Sequence, residues 1–279
     1  MNETLDPLVI DITPHHGAMT KAGKANFVRF SDATSEFVDN SLQAYRQLGD
    51  ENSARDVSLR LFMNAKKATN SLRDCFLVIS DKGCGMDENA LKDFATYSLD
   101  KATRKQQNEG FISKFGVGAK QSGFFLGERI RVMTSPVGVD SVFELNLDES
   151  VFEERYQNDE KVYEAYVYKR EAGNISFLTP EDEKANQLMM KHIQEYETAN
   201  KEHFTTIVLK LRESTVRDLY SRHRYKEIPY ELAQIYHFYL NPSNRPDEIL
   251  ETLDFLKTNQ KVKGASALYQ ATERLTKRK

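Results

Sequence analysis

An α/β sandwich, in the α+β sense of helices laid against strands that pair largely antiparallel, is the fold class the sequence predicts. Three observations predict it. Apolar residues recur at helical spacing after Ser35, two short runs rich in β-branched residues follow at 57–63 and 75–80, and alternating segments recur at 129–134, 142–147 and 163–168.

Taken in order, residues 1–24 read as an N-terminal arm in which Pro14, His15, His16 and Gly17 form a turn before a short helix. The paired histidines have no cysteine or carboxylate at ligand spacing and read as turn or surface residues. A main domain spans 25–240. Its first long helix buries Phe37, Val38, Leu42, Ala44, Tyr45 and Leu48, while Glu36, Asn40, Gln43 and Gln47 share another face. Strands Val57 to Met63 and Cys75 to Ser80 come next, and Asp87 caps a helix running toward Tyr97. The stretch from Tyr97 to Phe115 is polar and ends on glycines, as a mobile lid or a solvated loop would. Arg129 to Thr134, Val142 to Leu147 and Tyr163 to Tyr168 read as half-buried strands. Pro180 to Tyr196 reads as a helix with Leu188, Met189 and Ile193 inward and Glu181, Asp182 and Glu183 at its N-terminal end. His203 to Leu209 is a strand and Tyr230 to Leu240 a helix whose Tyr236, Phe238 and Tyr239 belong to the core. From Asn241 a charged extension, 241–279, follows.

With 39% hydrophobic and 29% charged residues, the 279-residue chain supports a substantial core and reads as soluble and intracellular. A net charge of −3 gives no global reason to expect nucleic-acid binding. Cys75 and Cys84 are too few for a disulfide framework or a structural zinc site. No cleavable signal and no run approaching ~20 apolar residues is present, so no membrane role is expected.

Three blocks carry chemistry. In Ser35-Glu36-Phe37-Val38-Asp39-Asn40-Ser41, Glu36 and Asn40 stand one turn apart on a helix. The Asn40 oxygen suits magnesium, which takes few protein ligands and keeps waters and substrate phosphates, and Glu36 can accept a proton from water. Alone, the pair reads as a solvated helix face. In Asp81-Lys82-Gly83-Cys84-Gly85-Met86, a carboxylate at the end of a strand can accept from the exocyclic amine of adenine, with glycines letting the backbone approach a base. Alone, that block is also a strand and a tight turn. The third, Phe115-Gly116-Val117-Gly118-Ala119-Lys120, leads glycines into a helix, which suits phosphate, and Lys120 adds a point charge. It is neither a Walker A loop, because Gln121 follows Lys120, nor a dinucleotide fingerprint, because a third glycine is lacking.

These blocks in this order, with Thr205, resemble the four boxes of the GHKL ATPases, the superfamily of DNA gyrase, the large heat-shock chaperone, histidine kinases and MutL. Within it the chain is most similar to the chromatin ATPases that carry an SMC hinge domain, with the microrchidia ATPases next. The words Glu36 to Leu42, Ser98-Leu99-Asp100-Lys101-Ala102-Thr103-Arg104, Phe115 to Gln121 and Gln234-Ile235-Tyr236-His237-Phe238-Tyr239 carry the likeness, which runs from about Phe27 to Leu240.

The resemblance implies a Bergerat-type two-layer sandwich, with helices on a mixed, mainly antiparallel sheet, a lid over about 97–118 and a transducer segment starting beyond 240. It implies ATP and Mg2+ as ligands, Glu36 as general base and Asn40 as magnesium ligand. Asp81 reads adenine, Gly83, Gly85 and Met86 shape the base pocket, and Lys101, Gly116, Val117, Gly118 and Lys120 hold phosphates. Thr205, rather than Thr206, supports Asp81 or the base through its hydroxyl. Slow hydrolysis, lid closure, a nucleotide-dependent homodimer, a nuclear location and chromatin or nucleic-acid contact through other regions of a larger protein complete the expectation. Lys82 and Ser41 depart from the family's commoner residues at positions expected to tolerate them. The lysine that usually reaches the γ-phosphate has no assigned counterpart; Lys210, Lys226 and Lys257 qualify by order only. A nucleotide-gated binding module with little hydrolysis is therefore the alternative. A histidine kinase is disfavoured by the presence of Glu36.

Overall fold

β-branched and aromatic residues alternate along six strands, and this alternation gives the sheet two apolar faces. The computed structural model describes residues 15–48, 56–63, 75–96, 118–176 and 187–236. Its strands are β1 (Val57–Phe62), β2 (Phe76–Asp81), β3 (Gly127–Ser135), β4 (Val142–Asp148), β5 (Val167–Arg170) and β6 (Phe204–Leu211). They lie in the order β1-β2-β6-β3-β4-β5, and every described pairing is antiparallel. The expected α/β sandwich is therefore present, with β6 inserted between β2 and β3 although it is the last of the described strands.

One face carries Leu59, Leu77, Ile79, Ile207, Leu209, Ile130, Val132, Phe143 and Leu145, and most of the helices cover it. These are α1 (Ala18–Asn26), α2 (Phe30–Leu48), α3 (Glu88–Ala95), α4 (Gly118–Leu126), α5 (Glu149–Gln157), α7 (Glu213–Tyr220) and α8 (Ile228–Ile235), with a 3-10 turn at Ser221–Lys226. In α2, the buried Phe37, Val38, Leu42 and Tyr45 follow the predicted stripe. Each such side chain contributes roughly 1.5–3 kcal/mol by leaving water. Their burial also fixes the rotation of the helix, and so the direction in which Glu36 and Asn40 project. Asp87 caps α3 as predicted, its carboxylate accepting from the Ala90 N–H at 2.8 Å.

The second face is covered as well, by α6 (Gln187–Ala199), which packs Met189, Met190 and Ile193 on Phe62, Phe76, Val78, Met133, Phe204 and Val208. Leu188, expected inward, is 72% exposed, and Met190 takes the inward place. Beside this core a buried network joins four elements, β3, β4, β5 and α6. Glu144 accepts from Arg131 at 2.7 Å and from Arg170 at 2.9 Å, and Arg170 makes a two-pronged contact to Glu197, 2.7 Å on each prong. Glu197 is fully buried, so two positive and two negative groups balance where water cannot screen them.

Several boundaries differ from expectation. The strand predicted over 163–168 forms at Val167–Arg170, on the exposed edge of the sheet, where Tyr166, Val167 and Tyr168 face solvent. Helices α5 and α7 were not foreseen. The N-terminal arm, from His15, lies on the domain: the Tyr163 hydroxyl donates toward the carbonyls of His15 and His16, at 2.7 and 3.0 Å, and Asn26 donates to Gln121 of α4 at 2.7 Å. The lid, the N-terminal end of the helix predicted from Pro180, and the extension after Tyr236 lie outside the described residues. No helix among the described residues is long and apolar enough to cross a membrane.

Candidate functional site

The predicted base-reading block forms at the open end of β2. Asp81 is the last residue of the strand, is 4% exposed, and has both oxygens engaged. Ser41 of α2 donates to Oδ2 at 2.7 Å and the Gly83 N–H to Oδ1 at 2.9 Å. Burial pushes the carboxyl up from 3.8 to about 6, while those two hydrogen bonds and His203 pull the other way. Each carboxylate oxygen has a second lone pair, so capacity for a further donor remains.

The turn after Asp81 folds back on α2 and then over the sheet. A Cβ on Gly83 would stand 2.4 Å from that of Ala44. Gly85 has φ +68°, the left-handed region, and a Cβ there would meet the Ser135 carbonyl at 2.1 Å, so glycine is required on both counts. Met86 follows, its N–H donating to Thr134 Oγ1 at 2.9 Å.

A row of residues crosses the sheet beneath this turn. Asp81 pairs with Thr205 of β6, Thr205 with Thr134 of β3, and Thr134 with Phe143 of β4. Thr134 gives its hydroxyl proton to the Phe204 carbonyl at 2.9 Å and accepts from Met86, which makes Thr205 the donor in their 3.1 Å hydroxyl pair. Thr205 is thus beside Asp81, but its proton goes to Thr134. Thr206 lies on the other face, 3.0 Å from Ser80 Oγ.

Glu36 is the second anchor. It is half-buried on α2, and its proton affinity is raised, first by burial and then by the negative charge of Asp39. The start of α4 comes right up to it: a Cβ on Gly118 would be 2.1 Å from Glu36 Oε2. Asn40, one turn on, is half-buried, with no hydrogen-bond partner for its carboxamide among the described residues. The fit to a magnesium nucleotide rests on this donor set and on the two close glycines, which leave room beside each carboxylate that any side chain would fill. No cluster of three or more His, Cys, Asp or Glu side chains suited to a metal exists among the described residues.

Lys120, predicted to hold phosphate, is 1% exposed; its ammonium donates to the Phe94 carbonyl and lies 5.2 Å from the Phe94 ring centroid. That carbonyl belongs to the last turn of α3, where a cation is favoured by the helix dipole. Lys120 thereby joins the two helices that flank 97–117. Lys210 pairs with Glu128 at 3.3 Å, and the exposed Lys226 lies over Tyr225. Lys101, Gly116, Val117 and Lys257 lie outside the described residues. A cavity of about 600 Å³ between α3, α5 and β4, lined by Leu91, Phe143, Phe152 and Tyr163, contains none of the predicted site residues. The constrained carboxylates, not this cavity, coincide with the sequence-predicted residues.

Two contributors escaped sequence reasoning. Ser41, read as a tolerated departure, fixes Asp81 from 40 residues away. Tyr236, read as core, is core at 2% exposure, yet its hydroxyl also reaches Asp39 Oδ1 at 2.8 Å and the Ser35 carbonyl at 3.0 Å.

A carboxylate and a carboxamide one turn apart on α2, a buried carboxylate at the end of β2 and close glycines beside both carboxylates lie on one antiparallel sandwich. The family described as histidine kinase-, DNA gyrase B-, and HSP90-like ATPase matches residues 28–173, and the chain belongs to it. The chain is similar to the structural maintenance of chromosomes flexible hinge domain-containing protein 1 of Mus musculus, 26% identical over 256 residues that cover 83% of this chain and 12% of the relative. It is similar to the Homo sapiens protein of that name at 27% over 257 residues, with the same coverages. The chain therefore spans only 12% of the length of these relatives.

Proposed function

We propose that this chain binds ATP with magnesium and hydrolyses it slowly, as a switch in a nuclear, chromosome-organising or gene-silencing assembly. The observation that carries the reading is that one helix, α2, touches both candidate anchors. α2 supplies Ser41 to hold Asp81, and roughly 7.5 Å back along its axis it presents Glu36 to Gly118.

In this reading Asp81 accepts from the adenine amine, and the turn Gly83–Met86 borders the base. Asn40 and the phosphates hold magnesium, which when bound offsets phosphate charge. Glu36 takes a proton from water. The water oxygen attacks the γ-phosphorus, the bond from that phosphorus to the β,γ-bridging oxygen breaks, and ADP leaves with phosphate as the second product. Burial and Asp39 favour the protonated form of Glu36, which strengthens it as a base. Closure of 97–118 over the nucleotide and dimerisation would follow binding. Chromatin or nucleic acid would be contacted through other parts of a larger protein, as the names of the relatives suggest.

One observation favours a nucleotide-gated module with little turnover: Lys120 and Lys210 are each engaged elsewhere, on Phe94 and Glu128. ATP hydrolysis with magnesium by the chain and by Glu36→Ala, with labelled-ATP binding measured in both, separates the two. Binding by both with turnover only by the unaltered chain supports the ATPase. Binding without turnover in either supports the gated module, and absence of binding overturns both.

A further inference from the structure

Two of the four residues between Asp81 and Met86 are glycines, so this turn has few side chains with which to hold its own shape. Its peptides are held by neighbours instead. The Lys82 N–H donates to the Tyr45 hydroxyl at 2.9 Å and the Cys84 N–H to the Ala44 carbonyl at 3.3 Å, both on α2. The Val137 N–H reaches the Cys84 carbonyl at 3.2 Å from the turn between β3 and β4, and Thr134 takes the Met86 N–H. From the residue just before β6, half-buried His203 brings Nδ1 to 2.9 Å from the Gly83 carbonyl.

The pairing register explains that partner. Asp81 faces Thr205, and in an antiparallel ladder each step forward on one strand is a step back on the other, so Gly83 falls opposite His203. β2 stops at Asp81 and the ladder stops with it; the imidazole supplies a donor where the backbone no longer does. A carbonyl only accepts, so the proton of the neutral ring is on Nδ1. Gly83 is thereby held on both sides, since its own N–H is bonded to Asp81 Oδ1 at 2.9 Å.

The orientation of Asp81 matters for what it can distinguish. Adenine presents an exocyclic amine where guanine presents a carbonyl oxygen. A carboxylate settled by Ser41 and Gly83 accepts from the amine and repels the oxygen, whereas one free to turn can swing away from the oxygen. We propose, resting on the assignment of Asp81 as the adenine acceptor, that His203 is a positioning residue for base selection, holding Gly83 so that Asp81 keeps the orientation that admits ATP over GTP.

The tests use the full chain. In protein labelled with 15N-histidine, long-range proton–nitrogen correlation spectra read the tautomer, with the His203 ring identified by its loss in His203→Asn. The neutral ring is expected to carry its proton on Nδ1; a proton on Nε2 overturns the proposal without reference to any nucleotide. Labelled-ATP binding with GTP as competitor then compares two variants. His203→Leu removes the donor and should weaken ATP binding roughly three- to tenfold, narrowing the preference for ATP over GTP by a similar factor. His203→Asn offers an amide N–H about where Nδ1 stood and should keep affinity and preference within about twofold of the unaltered chain. Equal loss in both variants makes the bulk of the ring, not its bond, the cause and overturns the proposal, as does an unaltered preference in folded His203→Leu. Should His203→Leu not fold, the tautomer and the preference of His203→Asn decide, and loss of that preference overturns it. Absence of ATP binding by the unaltered chain sinks the nucleotide reading itself, whereas ATP binding without this pattern sinks the role of His203 alone.

Discussion

Replacing Asp81 by Asn should stabilise the protein while weakening its nucleotide site. The buried carboxyl has a folded-state value of about 6 against 3.8 when exposed, so the folded chain holds this proton more tightly than the unfolded chain does. Stability from that proton is fully present below 3.8 and is lost as the pH rises through about 6. The gap corresponds to about 3 kcal/mol of lost stability well above pH 6. Asn carries no charge and fits the same partners: its oxygen accepts from the Gly83 N–H and its amide donates to Ser41 Oγ. Asp81→Asn is therefore expected to gain about 2–3 kcal/mol at pH 7.5, a rise in Tm of roughly 5–10 °C. About half of the gain should remain at pH 5 and little at pH 4, as the wild-type carboxyl becomes neutral in both states. The same change removes an acceptor from the base, which should weaken ATP binding about five- to a hundredfold. Denaturation at the three pH values and labelled-ATP binding check both halves. A variant less stable than wild type at pH 7.5 would refute the burial argument, and unchanged ATP affinity would refute the assignment of Asp81.

Gly118→Ala places a methyl where Glu36 Oε2 now lies and should cut turnover at least tenfold while sparing the fold, which activity assays and circular dichroism decide. Glu197→Gln leaves an uncompensated positive charge in the buried Arg131–Glu144–Arg170 group. It should destabilise by about 3 kcal/mol in urea unfolding, and because that group lies on the face opposite Asp81, ATP affinity should be unaltered.

Much of the site was legible because local rules carry it. Helical periodicity placed Glu36 and Asn40 on a common face, and strand chemistry followed by glycines placed Asp81 at a strand end. Ser41 was not legible, because its bond to Asp81 depends on how α2 packs on β2 rather than on either sequence. Tyr236 could be recognised as buried, but not the acceptor its hydroxyl would find. Lys120 stands after glycines as a phosphate-binding lysine would, and its bond to a helix-end carbonyl depends on tertiary contact that no local rule reveals. In the fold, α5 escaped notice since Glu149–Gln157 buries only Phe152, and the edge strand drifted because exposed tyrosines imitate half-buried alternation. Met190 displaced Leu188 because both suit an amphipathic helix, and the rotation is chosen by the sheet beneath.

The row from Asp81 through Thr205 and Thr134 to Phe143 runs across four strands, β2, β6, β3 and β4, of whose pairings only that of β3 with β4 joins neighbours in the chain, so the candidate base site is encoded in pairing register as much as in residue identity. Its tolerance of length change is accordingly uneven. Additions in connections leave the ladders as they are, whereas loss of one residue inside β6 would carry Thr205 to the opposite face and bring an inappropriate neighbour beside Asp81. With every site residue still in the chain, such a deletion would be as damaging as a substitution of Asp81 itself.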